Sequence, residues 1–123
     1  LLNISRTLET IRNQKKSQPE NRDHSMYYAI ICEDQKDSLH KRASSRTAHI
    51  KRLDELSKQG RILIAGPHPA IDGENPGEAG FIGSLIVAEF DSLTQAEIWA
   101  KQDPYVDAGV YKQVTVKPFK RVF

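Results

Sequence analysis

With one cysteine among its 123 residues, this chain can form no intrachain disulfide and no Cys-x-x-Cys zinc site. That residue, Cys32, reads as a small core side chain. The scarcity fits a reducing compartment, so a cytoplasmic location is expected. Long hydrophobic runs are missing too: none approaches the roughly 20 residues of a membrane span. Nor is there a surplus of one charge. The formal net charge of +2 comes from residues 1–25, with five Lys/Arg against three Asp/Glu, whereas residues 26–123 hold thirteen of each. A neutral domain without a basic stripe excludes nucleic acid as its main partner. Without a Gly-x-Gly-x-x-Gly or Gly-Lys-Ser/Thr loop, no cofactor is expected, and no metal. What remains is a globular composition, 38% hydrophobic and 28% charged, long enough for one core.

Residues 1–25 read as an upstream extension of the fold. Leu1, Ile4, Leu8 and Ile11 have helical spacing, but 13–25 is polar and broken by Pro19. The apolar core of a secretory signal is absent, and the only methionine, Met26, stands where a strand pattern begins. The alternative is an amphipathic arm that docks on a partner. Deleting 1–25 is expected to leave folding and assembly intact.

From Met26 the elements alternate. Residues 27–33 form a strand pattern of aromatic and β-branched side chains. A long helix over 39–59 can be N-capped by Asp37 or Ser38 and ends at Gly60. A short apolar strand, 61–65, leads into Gly/Pro-rich sequence over 67–82, read as a long loop, and 84–90 is a third strand. Ser92 and Gln95 make a capping box for a second helix with Leu93, Ala96, Trp99 and Ala100 on its apolar face, stopped by Pro104. The last strand covers 110–119. This βαββαβ order predicts an α+β, ferredoxin-like fold: a four-stranded antiparallel sheet with both helices on one face. The first strand is apolar on both sides (Tyr27, Ala29, Ile31; Tyr28, Ile30, Cys32). The second face is therefore expected to pack against another copy, giving a homodimer.

The inward stripe of the long helix changes character along its length. At about 100° per residue, Leu39, Arg42, Arg46, His49, Ile50, Leu53 and Leu56 fall within roughly 60° of Leu53. The stripe is apolar at its C-terminal end but carries two guanidiniums and an imidazole nearer its start. Such groups need acids, water or a ligand if buried. Of the four histidines, only His49 sits on an inward pattern: His24 is in the extension, His40 on the solvent face, His68 in the Gly/Pro region. It can be a proton-transfer group, a nucleophile or a satisfied core residue. Asp103 shares one face of the second helix with Ala96, Trp99 and Ala100, closing that helix on its inward side, and can pair with His49 or simply terminate the helix before Pro104. A carboxylate there would fix the imidazole tautomer.

Around this pair, Arg42 and Arg46 are candidates for holding an anion or for structural ion pairs. Asp34 can be such a partner or a second carboxylate of the site. Gly66-Pro67 shapes a strand end beside the pocket, Ser84 can bond a ligand or a turn, and Tyr105 can wall the pocket. Lys117, Lys120 and Arg121 read as a solvated end.

Taken in order, Arg46-Thr-Ala-His49, Gly60-Arg-Ile-Leu, Ala65-Gly66-Pro67, Gly83-Ser84, Asp103-Pro104-Tyr105, Ala108-Gly109 and Val116-Lys-Pro-Phe119 resemble the YciI (YCII-related) family across 26–123. The resemblance implies a dimeric α+β barrel of ferredoxin-like subunits. It also implies a His/Asp pair suspected of catalysis, at the positions of His49 and Asp103 here, and kinship with a chlorohydroquinone dehydrochlorinase and muconolactone isomerase-like enzymes. The expectation is a small enzyme of lyase or isomerase type acting on a small anionic or oxygen-rich molecule through proton transfer, or through a nucleophilic His49. The competing expectation is a non-catalytic dimer that binds a metabolite in the same pocket.

Overall fold

The computed structural model describes residues 25–123. The extension read over 1–25 lies outside them except for Ser25, whose hydroxyl donates to Asp91 Oδ1 at 3.0 Å. Four strands, β1 (Met26–Asp34), β2 (Ile62–Pro69), β3 (Phe81–Phe90) and β4 (Tyr111–Phe119), form one sheet in the order β2-β3-β1-β4. Every neighbouring pair is antiparallel. Helix α1 (Leu39–Lys58) joins β1 to β2. Helix α2 (Leu93–Lys101) and the short α3 (Pro104–Asp107) join β3 to β4. The architecture is the ferredoxin-like α+β arrangement expected from the element order.

Strand register decides which side chains meet the helices. Tyr28 pairs with Ala88, Ile30 with Ile86 and Cys32 with Ser84. Because side chains alternate, this set shares the inner face, where Leu56 of α1 and Ala96 and Ala100 of α2 close the core over Tyr28, Ile30, Ile86 and Ala88. The alternate set carries Ala29 opposite Val87 and Ile31 opposite Leu85. Neither α1 nor α2 belongs to that face. Among the described residues, no helix is long and apolar enough to cross a membrane.

Three readings of the connections need correction. Strand β2 continues through Gly66, Pro67 and His68 to Pro69 instead of stopping at 65, and β3 begins at Phe81, so the loop read over 67–82 shrinks to 70–80 with one turn of 3₁₀ helix at Gly77–Ala79. Proline is admitted because β2 is an edge strand, where a missing N–H need not cost a ladder bond. Ser38 occupies the N-cap position of α1, but its hydroxyl makes no capping bond and donates to Asp34 Oδ2 instead. Asp37 adopts a left-handed φ of 57° in the turn before it. Finally, α2 ends at Lys101 with Gln102 as its C-cap. Asp103 therefore lies beyond that helix and N-caps α3, with Pro104 at the first helical position. The other expected helix ends hold: Ser92 accepts from the Gln95 N–H, and Gly60 leaves α1 with a φ of +70°.

Candidate active site

Helix α1 turns Arg42 and His49 inward, two turns apart, and both are buried. Their surroundings differ. Arg42 donates from Nε to Asp34 Oδ2 at 2.6 Å, from Nη2 to Asp34 Oδ1 at 3.1 Å, and from Nη2 to the Gly83 carbonyl at 3.0 Å. Burial works against its charge, but the hydrogen bonds and charge of Asp34 outweigh this and hold the guanidinium above its usual range. Its planar face lies over Phe81 and Tyr105, 5.7 and 5.2 Å from their ring centres. Gly83 itself is required by the close approach of β1: a Cβ there would stand 2.2 Å from the Cys32 carbonyl oxygen.

His49 is 7% exposed and Asp103 3%. The imidazole Nδ1 lies 2.9 Å from each carboxylate oxygen, so the two side chains are in hydrogen-bonding contact. The carboxylate is fixed from a second side, since Oδ1 accepts the Tyr105 backbone N–H at 2.9 Å as the N-cap of α3. The capping bond and the imidazole bond therefore act on one group. Tyr105 stacks on the imidazole, ring centres 3.9 Å apart and planes 8° apart, which locks the ring plane. Burial pushes the Tyr105 hydroxyl pKa up against the opposing charges of the neighbouring Arg42 and Arg46.

Arg52, absent from the sequence reading, completes the group. Its Nη2 donates to the Trp99 carbonyl at 2.8 Å, its guanidinium lies 4.3 Å above the Trp99 ring, and its Nη1 stands 3.7 Å from Asp103 Oδ2. Burial lowers its pKa, and the charges of Asp103 and Glu55 oppose that.

A cavity of about 490 Å³ opens beside His49. Arg42, Arg46, Ser84 and Tyr105 line it, as do Gly66 and Pro67 from β2. Asp34 and Asp103 do not: they stand behind Arg42 and His49 as their partners. Asp34 is thus the ion-pair partner of Arg42, with its oxygens also serving Ser38. With Nδ1 committed to Asp103, Nε2 is the imidazole nitrogen left for the cavity, and it makes no hydrogen bond among the described residues.

Beneath the floor, Ser84 is 5% exposed within β3, where a turn role had been open to it. Its hydroxyl and that of Tyr111 are buried without a well-formed hydrogen bond. Cys32 is their neighbour, and burial pushes its thiol up. Tyr111 is raised further, by burial first and then by the charges of Cys32 and Asp103. Of the other histidines, His40 and His68 are exposed. Among the described residues, no group of three or more His, Cys, Asp or Glu could hold a metal ion. Chemically, the arrangement offers one oriented imidazole nitrogen at the edge of a positively lined cavity.

The comparisons agree with this frame. The model of the YCII-related domain matches residues 26–120. Protein YciI of Escherichia coli O6:H1 is 57% identical over 98 residues, covering 80% of this chain and 100% of the relative. An uncharacterised protein of Haemophilus influenzae is 55% identical over the same shares. Among solved structures, 5-chloro-2-hydroxyhydroquinone dehydrochlorinase from Burkholderia phenoliruptrix, in complex with 2,5-dihydroxybenzoquinone, superposes with a TM-score of 0.67 at 25% identity, over 77% of this chain and 94% of that one. With the ferredoxin-like sheet and a family match spanning nearly all of the described residues, this chain belongs to the YCII-related family.

Proposed function

We propose that the protein is a small enzyme in which His49 carries a proton between two positions of a small anionic, oxygen-rich molecule, with lyase- or isomerase-type outcome. The observation that carries this reading is the division of labour within one ring: Nδ1 is fixed by Asp103, and Nε2 is left for the cavity. As the pair acts, Nε2 takes a proton from a C–H or O–H made acidic by a neighbouring carbonyl. Asp103 stabilises the imidazolium that forms, and Nε2 returns the proton elsewhere on the same molecule or to its leaving group. The stacked Tyr105 and the capping bond to Asp103 hold the ring so that no reorientation accompanies the transfer. The likeness to a dehydrochlorinase supports elimination chemistry by analogy of fold and family.

The functional unit in this proposal is a homodimer joined through the sheet face opposite the helices. That face presents Ile31, Leu85 and Ile64 with Glu33 and Lys117 at its margins. A two-fold axis there would set apolar centre on apolar centre and acid near base. The lone, buried Cys32 fits a cytoplasmic setting. Sedimentation of the full chain should give about twice the monomer mass.

The catalytic reading is tested by incubating the protein in D₂O with a panel of small enols, quinols and keto acids, 2,5-dihydroxybenzoquinone included, and following C–H loss by proton NMR. Enzyme-dependent exchange with at least one member is expected, reduced about 10²-fold or more by His49→Ala. Exchange that survives that substitution, or is absent across the panel while ligands still bind, would leave the metabolite-binding reading in its place.

A further inference from the structure

The charges around the cavity do not cancel, and the residue left over selects the ligand. Among the described residues, three lining side chains are cationic or can become so, Arg42, Arg46 and His49, and no Asp or Glu lines the cavity. Arg42 is neutralised by Asp34 through two hydrogen bonds. Behind His49, Asp103 is matched by Arg52 at 3.7 Å, so the His49–Asp103–Arg52 group sums to zero while the imidazole is neutral. Arg46 alone has no carboxylate within ion-pair distance among the described residues. The Tyr105 hydroxyl beside it is uncharged. The residue is exposed and so marks the mouth of the cavity. Leu39, Ile50, Leu53, Phe81 and Ile86 make the rest of the lining largely apolar.

From this balance we infer that the cavity takes a monoanion with an apolar, ring-sized body, such as a carboxylate or an ionised enol, and that Arg46 is the residue that selects it. A dianion such as a phosphate monoester would bring one charge more than the site can match, and a neutral molecule would leave Arg46 unanswered. Arg46 and His49 are one turn apart on α1, and residues so spaced have Cβ atoms about 5–6 Å apart. The acid group therefore sits a few bonds from the atom that exchanges its proton with Nε2, close enough for its carbonyl or enol oxygen to acidify that atom. The inference rests on the proposed role of His49 in taking the imidazole as neutral and in placing the exchanging atom at Nε2, whereas the charge balance and the apolar lining stand without it. The cavity volume, about 490 Å³, is within the range of small-molecule sites.

The test uses the full chain and three probes that share one ring: benzoate, benzyl alcohol and phenyl phosphate. It is run at about pH 8.5, above the ordinary histidine range and with the phosphate doubly ionised. Binding is followed by chemical-shift titration. Benzoate is expected to bind about tenfold more tightly than either of the others. Arg46→Gln should remove that preference by weakening benzoate while leaving benzyl alcohol unchanged, and Arg46→Lys should restore part of it. Equal affinity for the three, tighter binding of phenyl phosphate, an unaltered preference in Arg46→Gln, or no binding of any probe would each overturn the inference. The outcomes separate from those of the exchange experiment. Selective benzoate binding without proton exchange would sink the catalytic reading and keep the ligand class. Exchange on neutral substrates alone would do the reverse.

Discussion

Helix α1 holds two buried side chains paired with carboxylates, two turns apart, and they have opposite characters. At Arg42, Nε and Nη2 are committed, with two bonds to Asp34 and one to the Gly83 carbonyl, and Ser38 adds a further bond to the same carboxylate, while Nη1 makes no hydrogen bond among the described residues. At His49, one nitrogen is committed and the other is left at a cavity. Both sites pair buried charge or potential charge with an acid, so burial alone does not distinguish structure from chemistry. What distinguishes them is the proton: a guanidinium keeps its own, whereas an imidazole can give one up and take it back. The Arg42 pair joins β1, α1 and β3, whereas the His49 pair ties α1 to the start of α3 and keeps a nitrogen in reserve.

The largest expected effect would come from breaking the two-bond pair of Arg42 and Asp34. Arg42→Met leaves Asp34 buried without its cation and should cost about 3–5 kcal/mol of stability, read as a lowered urea midpoint. A cost below about 1 kcal/mol would mean that water replaces the guanidinium and that the contrast between the two sites is overstated. At the His49–Asp103 pair the balance should invert. Asp103→Asn should lower the proton exchange proposed above by about 10²–10⁴-fold while costing only about 1–2 kcal/mol in stability, because the amide oxygen can still accept the Tyr105 N–H. Nitrogen NMR of the His49 ring should report one tautomer, protonated at Nδ1, in the parent and a mixture in the variant.

Gly83→Ala probes the frame that both pairs share. The added methyl would meet the Cys32 carbonyl, so a loss of about 1–3 kcal/mol is expected, with the Arg42–Gly83 bond weakened. The smallest effect concerns pH. Cys32, Tyr105 and Tyr111 are all held neutral by burial, so each ionises at higher pH in the folded chain than in the unfolded one. Their stabilisation is complete below the unfolded values, near 9 for the thiol and 10 for the phenols. As pH rises beyond those values the unfolded chain binds fewer protons, and stability falls. Denaturant midpoints measured from pH 8 upward should decline, and Cys32→Ala should flatten the first part of the decline.

Much of this was legible before any coordinates. Element order and strand alternation specified the fold, because a period of two and a period of 3.6 leave little ambiguity in segments this regular. The stripe on α1 placed Arg42 and His49 inward for the same reason. Asp103 was assigned the right partner in the wrong setting: the i, i+7 spacing put it at the inward end of α2, whereas its backbone is extended and starts a new helix. Arg52 was missed because a helical wheel locates Cα positions, not the end of a long side chain. Its stem reaches across Trp99 and brings Nη1 to Asp103. The end of β2 was misjudged because proline argues against a strand only where its N–H would have been used. Nor could any sequence pattern show that Asp34 pairs with Arg42 and that Arg46 meets no acid among the described residues; such pairings depend on which side chains the sheet register brings together.

The prolines themselves have a consequence beyond strand length. Pro67 and Pro69 lie on β2 and Pro118 on β4, the two border strands of the sheet. Each lacks the amide hydrogen that an incoming strand would need, so both borders are poor templates for adding strands from another molecule. The sheet is thereby a poor seed for end-to-end growth into fibres, and the homodimer proposed above, which would use the broad surface, would stop at a finite size because a single partner saturates that contact.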